Sequence, residues 1–187
     1  MIGNNGFDTT GTASVGQITV GLVVPNDPNL TGQLGEHAVG AALLRPIQGD
    51  ATVPAEPFVV EIFGDKHVLF DGVVYLMNHQ RSLTGAHFFI QIKTSRPQGG
   101  TINCSARFKQ AEVARAVSFR APVYLIGVEA RSTEMCFVKG ISHSRTQGIS
   151  RITKSRHNLS SPSVKRIIYK EVQAFHRTFP STFQSRL

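Results

Sequence analysis

The 187-residue chain has no tryptophan and only two cysteines, Cys104 and Cys136. They form no Cys-x-x-Cys pair, which argues against a four-ligand structural zinc site. In a reducing compartment both are expected as small core residues rather than a disulfide. No apolar stretch approaches the roughly 20 residues that span a bilayer. Residues 1–12 are polar and glycine-rich, without the basic start and apolar run of a signal peptide. There is no Gly-X-Y or heptad bias of a fibre, and no internal repeat. A Walker loop, a GxGxxG turn and a Ser-His-Asp elbow are also missing. Together these absences predict a cytoplasmic protein with no membrane segment.

Hydrophobic residues make up 41% of the chain and charged residues 17%, the balance of a chain that buries a core. The length suits one domain with short appendages. We read an N-terminal arm over 1–29, a principal domain over 30–179 and a tail over 180–187. Acidic residues are scarce at one end: residues 140–187 hold 9 Lys/Arg and a single acid, Glu171, whereas residues 1–139 hold 11 of each sign. The whole net charge of +8 therefore lies in the last quarter. Such a field attracts polyanions, nucleic acid first and an anionic membrane surface second.

Helical spacing of Leu30, Leu34, Ala38 and Ala42 predicts a helix over 31–45, capped by Thr31 and ended by Pro46. Strands are predicted over 58–63, 68–77 and 87–94, with a turn at 64–67 and a loop over 78–86. A helix is predicted over 106–119, with Phe108 among its apolar positions. Val123 to Val128 is a nearly continuous apolar run, expected as a central buried strand. Shorter strands follow over 136–141 and 149–153. Ser161-Pro162 opens a last helix, with Val164, Ile167, Ile168, Val172, Phe175 and Phe179 as its stripe and Lys165, Arg166, Lys170 and Arg177 on other faces. The order predicts an α/β fold: one mixed β-sheet flanked by helices.

If 73–77 and 87–93 form an antiparallel hairpin centred near Arg81–Ser82, Asp71 falls opposite Ile92. Gln91 and Lys93, two apart, then share one face. A carboxylate, an amide oxygen and an ammonium converge at the open end. That set suits metal-assisted phosphodiester cleavage. Asp71, the Gln91 amide oxygen and a backbone carbonyl can ligate Mg²⁺ or Mn²⁺, with waters completing the shell. Lys93 can orient the attacking water or stabilise charge developing on the phosphate. Taken singly these are ordinary residues: an exposed helical Glu, a turn Asp, solvated positions on an edge strand. Their order and the hairpin register lift them above that.

Glu36, Asp71 and Gln91-x-Lys93 in this order resemble the PD-(D/E)XK, or restriction-endonuclease-like, superfamily. The Gln-x-Lys variant is similar to the Mrr-like branch. Leu34-Gly35-Glu36 matches the branch's opening helix, and Pro122 to Glu129 matches its Pro-initiated strand after the catalytic strand and a helix. The resemblance covers roughly residues 30–179. It implies a restriction-endonuclease-like fold, metal binding by Glu36, Asp71 and Gln91, and catalysis completed by Lys93. It also implies DNA endonuclease activity in prokaryotic restriction or antiviral defence. No separate recognition domain is evident, so a partner subunit or a homodimer is expected to place the site.

The basic end carries Arg145, Arg151, Lys154 and Arg156 in polar surroundings. Without interleaved aromatics they suit phosphate contact along duplex DNA, not base stacking. Two rival readings stand beside the nuclease: a catalytically degenerate nucleic-acid-binding or assembly subunit, and a peripheral membrane protein using the basic helix.

Overall fold

In a computed structural model, residues 28–49, 51–64, 69–96, 101–129, 135–178 and 183–187 are described. The elements run α1 (Pro28–Leu44), β1 (Phe58–Ile62), β2 (Gly72–Met77), β3 (Leu83–Ser95), β4 (Asn103–Phe108), α2 (Gln110–Ser118), β5 (Val123–Glu129), β6 (Cys136–Gly140), β7 (Ile149–Thr153) and α3 (Pro162–Arg177). The α/β reading holds. A five-stranded sheet has the order β1-β2-β3-β5-β6, mixed because β3 and β5 are parallel while the other pairs are antiparallel. The single-sheet expectation does not hold, since β4 and β7 form a second, two-stranded sheet.

That second sheet corrects the helix expected over 106–119. Cys104, Ala106 and Phe108 are buried and Ser105 and Arg107 exposed, the two-residue period of a half-buried strand. The helix begins only at Gln110, after Lys109. Residues 1–27 of the arm, 65–67 of the turn, Val68 and Phe179 lie outside the described residues; Pro28 and Asn29, expected at the end of the arm, belong to α1. α1 starts at Pro28, so Thr31 lies inside the helix and does not cap it.

The main sheet separates two apolar layers. On one face, Phe88, Ile90 and Ile92 of β3 and Tyr124, Ile126 and Val128 of β5 pack with α1 and α3. Phe183 and Leu187 of the C-terminal tail are buried in the same layer. On the other face, Val123 and Leu125 pack with β4, β7 and α2. β5 is buried along its whole length, as its continuous apolar run predicts.

α3 buries Val164, Ile168, Val172 and Phe175 of its stripe and, beyond them, Tyr169, Glu171 and one basic residue. Lys165, expected on a polar face, is 1% exposed. Its ammonium donates to the carbonyl oxygens of Arg45 at 2.6 Å and Leu43 at 3.4 Å, at the C-terminal end of α1. A cation there satisfies carbonyls that the helix leaves unpaired and meets the negative end of its dipole. Arg166 adds a bond to the Gln48 carbonyl at 3.1 Å. No helix among the described residues is long and apolar enough to cross a membrane.

Candidate active site

The hairpin register differs from the expected one by a single residue. Gly72 pairs with Ile90 and Val73 with Phe89, which sets the Asp71 backbone across from Gln91 rather than Ile92. The cause is the turn. It is tighter than the expected 78–86 loop, because the Asn78 side chain accepts the N–H groups of Gln80 and Ser82 at 2.9 Å each. The ladder also shifts between Tyr75 and Met77. Gly72 is required where it stands: a Cβ there would lie 2.6 Å from the Glu61 carbonyl oxygen, inside the β1–β2 contact. The Asp-Gly pair thus starts a strand squeezed between two neighbours and leaves Asp71 at its open end.

Asp71 is held by β3. One carboxylate oxygen accepts the Gln91 side-chain amide at 2.5 Å and also the backbone N–H of Ile92. Lys93 lies two residues on, on the face of Gln91. Its ammonium is 3.3 Å from Glu112 Oε1 and 5.9 Å from the centre of the Phe108 ring. Lys93 pairs across the parallel ladder with Gly127, where a Cβ would approach Cys104 Sγ to 2.8 Å. β4 therefore packs directly over β5 next to Lys93, and the lysine is confined between β4 and α2.

Glu112, on α2, faces Lys93 and is not among the site residues expected from the sequence. Its other oxygen accepts the Lys109 backbone N–H at 2.5 Å, so it caps α2 while facing Lys93. Burial pushes its carboxyl up, but the Lys109 N–H and the Lys93 ammonium outweigh burial and hold it below the ordinary carboxylate range. Its position three residues after Lys109, a capping-box spacing, is the signal that points to it in the sequence.

Glu36 sits on α1, which covers the opposite face of the sheet from Gln91 and Lys93. The closest approach of that helix is at Gly35, where a Cβ would collide with the Thr94 hydroxyl and lie 3.5 Å from Ile92 Cγ2. Glu36 is half-buried beside that crossing, at the same end of β3 as Lys93. The structure joins Asp71 to Gln91 and Lys93 to Glu112 by direct contacts, sets Gln91 and Lys93 on one face of β3, and brings α1 against the back of the same strand.

The basic residues sort differently from their order in the chain. Lys154 makes a 2.5 Å ion pair with Glu129, whose side chain is 3% exposed, so this lysine neutralises a buried acid. Arg145 is folded back on its own loop, donating to the carbonyls of Gln147 and Gly148. Arg151 and Arg156 are exposed. Arg151 pairs across the β4–β7 ladder with Ser105, which brings it to the same outer surface as Arg107. Lys109, Arg115 and Arg120 extend that exposed basic surface around α2. Arg107 and Arg151 point away from the main sheet, because the alternating Cys104, Ala106, Phe108 and Ile152 face it.

As for a metal, no group of three or more His, Cys, Asp or Glu side chains is gathered among the described residues. The donors at the hairpin end are oxygen donors, a carboxylate and an amide. They fit a hard cation of the Mg²⁺ type, which is commonly held by one or two carboxylates together with waters and substrate phosphate oxygens. They do not fit a Zn²⁺ site of nitrogen and sulfur ligands. No family model, curated protein or solved structure matches the chain.

Proposed function

We propose that the chain is a Mg²⁺-dependent nuclease of the PD-(D/E)XK type that hydrolyses DNA phosphodiester bonds. The observation that carries this reading is the bonding of Asp71 to Gln91 on the strand whose next same-face residue is Lys93. The element order supports it: a helix, an antiparallel β1–β2–β3 meander, then, after the short strand β4, a helix and an apolar strand parallel to the catalytic one. Asp71 and the Gln91 amide oxygen would hold the metal; Glu36, on the helix that covers the opposite face of the sheet, would join them only by reaching around the end of β3. A flip of the Gln91 amide would present its oxygen instead of its N–H. When bound, the metal polarises the phosphate and lowers the pKa of a ligated water. Lys93 directs its ammonium at the phosphate oxygens where negative charge grows. Glu112 holds that ammonium in place until a phosphate competes for it. The exposed Arg107, Lys109, Arg151 and Arg156, on and beside the outer surface of the β4–β7 sheet, would position the DNA backbone that flanks the site.

The cytoplasm is the compartment proposed for this activity, where Cys104 and Cys136 serve as buried core thiols. Restriction or antiviral defence, with a partner subunit or a second copy supplying the other strand's site, is the setting proposed for this activity. A second reading also has an observation behind it. The Gln91 amide donates into the carboxylate that would bind metal, an arrangement stable without any cation, as in a DNA-binding subunit that has lost catalysis. Plasmid nicking separates the two. The nuclease converts supercoiled DNA with Mg²⁺ or Mn²⁺, not with EDTA, and Asp71→Asn abolishes it. A wild-type chain that binds DNA but leaves it intact with either metal supports the second reading.

A further inference from the structure

Phe119 closes α2, with 50% of its surface exposed. It is not an isolated surface ring. It meets Phe70 edge-on at 4.9 Å and Phe89 at 5.9 Å, and those two rings stack at 4.7 Å. Phe70 directly precedes Asp71. Phe89 shares its face of β3 with Gln91 and Lys93. The exposed ring is therefore built into the patch that holds the candidate site. Phe89 and Gln91 are about 7 Å apart along the strand. That is about two steps of a stacked nucleic-acid strand, at ~3.4 Å each.

The surroundings of the ring are cationic. Arg120 follows it, exposed and held at a positive φ of 49°, and Arg115 is exposed one turn earlier on α2. An aromatic face bordered by cations is the composition on which unpaired bases stack while their phosphates are neutralised. A base within a duplex has both faces covered by its neighbours and offers none to such a ring.

We propose that Phe119 is a base-stacking residue, and that the site takes DNA presenting an unpaired nucleotide beside the scissile phosphate, as in a single strand, a flap or a frayed end. This inference rests on the nuclease reading of Asp71, Gln91 and Lys93 and specifies its substrate class. The outer Arg residues serve the flanking backbone, and Phe119 selects for the unpaired base.

The absence of tryptophan makes the test direct, because Phe119→Trp introduces a single indole into the chain. In EDTA, titration with a single-stranded oligonucleotide quenches that indole, whereas a relaxed covalently closed circular duplex does not. Anisotropy of labelled DNA reports binding of both. Phe119→Ala weakens single-strand binding by about 5- to 150-fold, the range for removal of one base stack, and leaves duplex binding unchanged. Phe119→Leu keeps an apolar side chain against Phe70 and Phe89 and shows a comparable loss, which separates stacking from packing. Single-strand binding without quenching, or an alanine variant that binds like wild type, overturns the inference and leaves the nuclease reading standing. A wild-type chain that neither binds nor cleaves any DNA overturns the nuclease reading and this inference with it. Self-association of the wild type that Phe119→Ala abolishes in sedimentation, without a change in DNA binding, assigns the ring to a protein contact and also overturns it.

Discussion

Lys165 is a buried cation bonded to carbonyl oxygens of α1, so its protonation is tied to folding. Burial first, and then the Arg45 charge, push its ammonium down to about 8 from the ordinary 10.5. Between those values the unfolded chain holds a proton that the folded chain has released. The charged lysine therefore costs stability below pH 8, and the cost fades as pH rises toward 10.5. A gap of about 2.5 pH units corresponds to about 3 kcal/mol. Lys165→Met removes that cost. It also removes the bonds to Arg45 and Leu43, where a charge-assisted bond contributes about 1.5–3 kcal/mol. At pH 7 the two effects nearly offset, and the variant is expected within about 1.5 kcal/mol of wild type. The slope separates them: between pH 7 and pH 9 the wild type gains about 1.4 kcal/mol on the variant. Cys104 and Cys136 act with the opposite sign. Burial raises their thiols to about 11 and about 12, so each costs stability as pH climbs past the ordinary 9. Both proteins share that cost, so it cancels in the difference. Urea unfolding of the pair at pH 7, 8 and 9, followed by circular dichroism, gives the numbers. A wild-type-minus-variant difference constant across that range would refute the buried, partly neutralised lysine.

Three further outcomes follow from the packing. Lys154→Met leaves the Glu129 carboxylate buried without its counter-charge and is expected to cost about 3–5 kcal/mol in urea unfolding; a cost under about 1 kcal/mol would make the pair a surface one. Replacing Arg107, Arg151 and Arg156 together by Ala leaves the fold intact and flattens the log–log salt dependence of duplex binding by about 0.9 for each phosphate that these residues neutralise. An unchanged slope in anisotropy titrations would remove this surface from the interface. Gly35→Ala forces α1 off Thr94 at a cost of about 1–3 kcal/mol, offset by about 1 kcal/mol of helix propensity. A variant more stable than wild type in the same urea assay would contradict the close crossing of α1 over β3.

Where local pattern decides structure, the sequence is readable. Ser161-Pro162 and the stripe from Val164 to Phe175 specify α3, and the run from Val123 specifies the buried central strand. The hairpin arithmetic brings Asp71 to Gln91 within one residue, because the two strands are close in the chain and a turn sets their register. Long-range pairing is not readable. Nothing local to Ser105 and Arg107 announces that they form a sheet with Ile149–Thr153, so Phe108 passes for a helical residue. Lys165 looks like any basic position on an amphipathic helix until α1 places two carbonyls above it. The charge count fails for the same reason. Splitting the chain at residue 139 leaves Arg107 in a neutral half, although pairing of β4 with β7 brings it to the surface of Arg151. Lys154, counted with the basic tail, is committed to Glu129.

The central claim is that Lys93 acts on a phosphodiester held beside Asp71 and Gln91. Single-turnover hydrolysis of a labelled oligonucleotide with a single-stranded flap, in saturating Mg²⁺ and with enzyme in excess, measures that step alone. Lys93→Ala is expected to lower the rate about 10²-fold or more, the usual cost of one transition-state donor, with the far-ultraviolet circular dichroism and the flap affinity close to wild type. A folded Lys93→Ala variant that cleaves at the wild-type rate would contradict the assignment of this site.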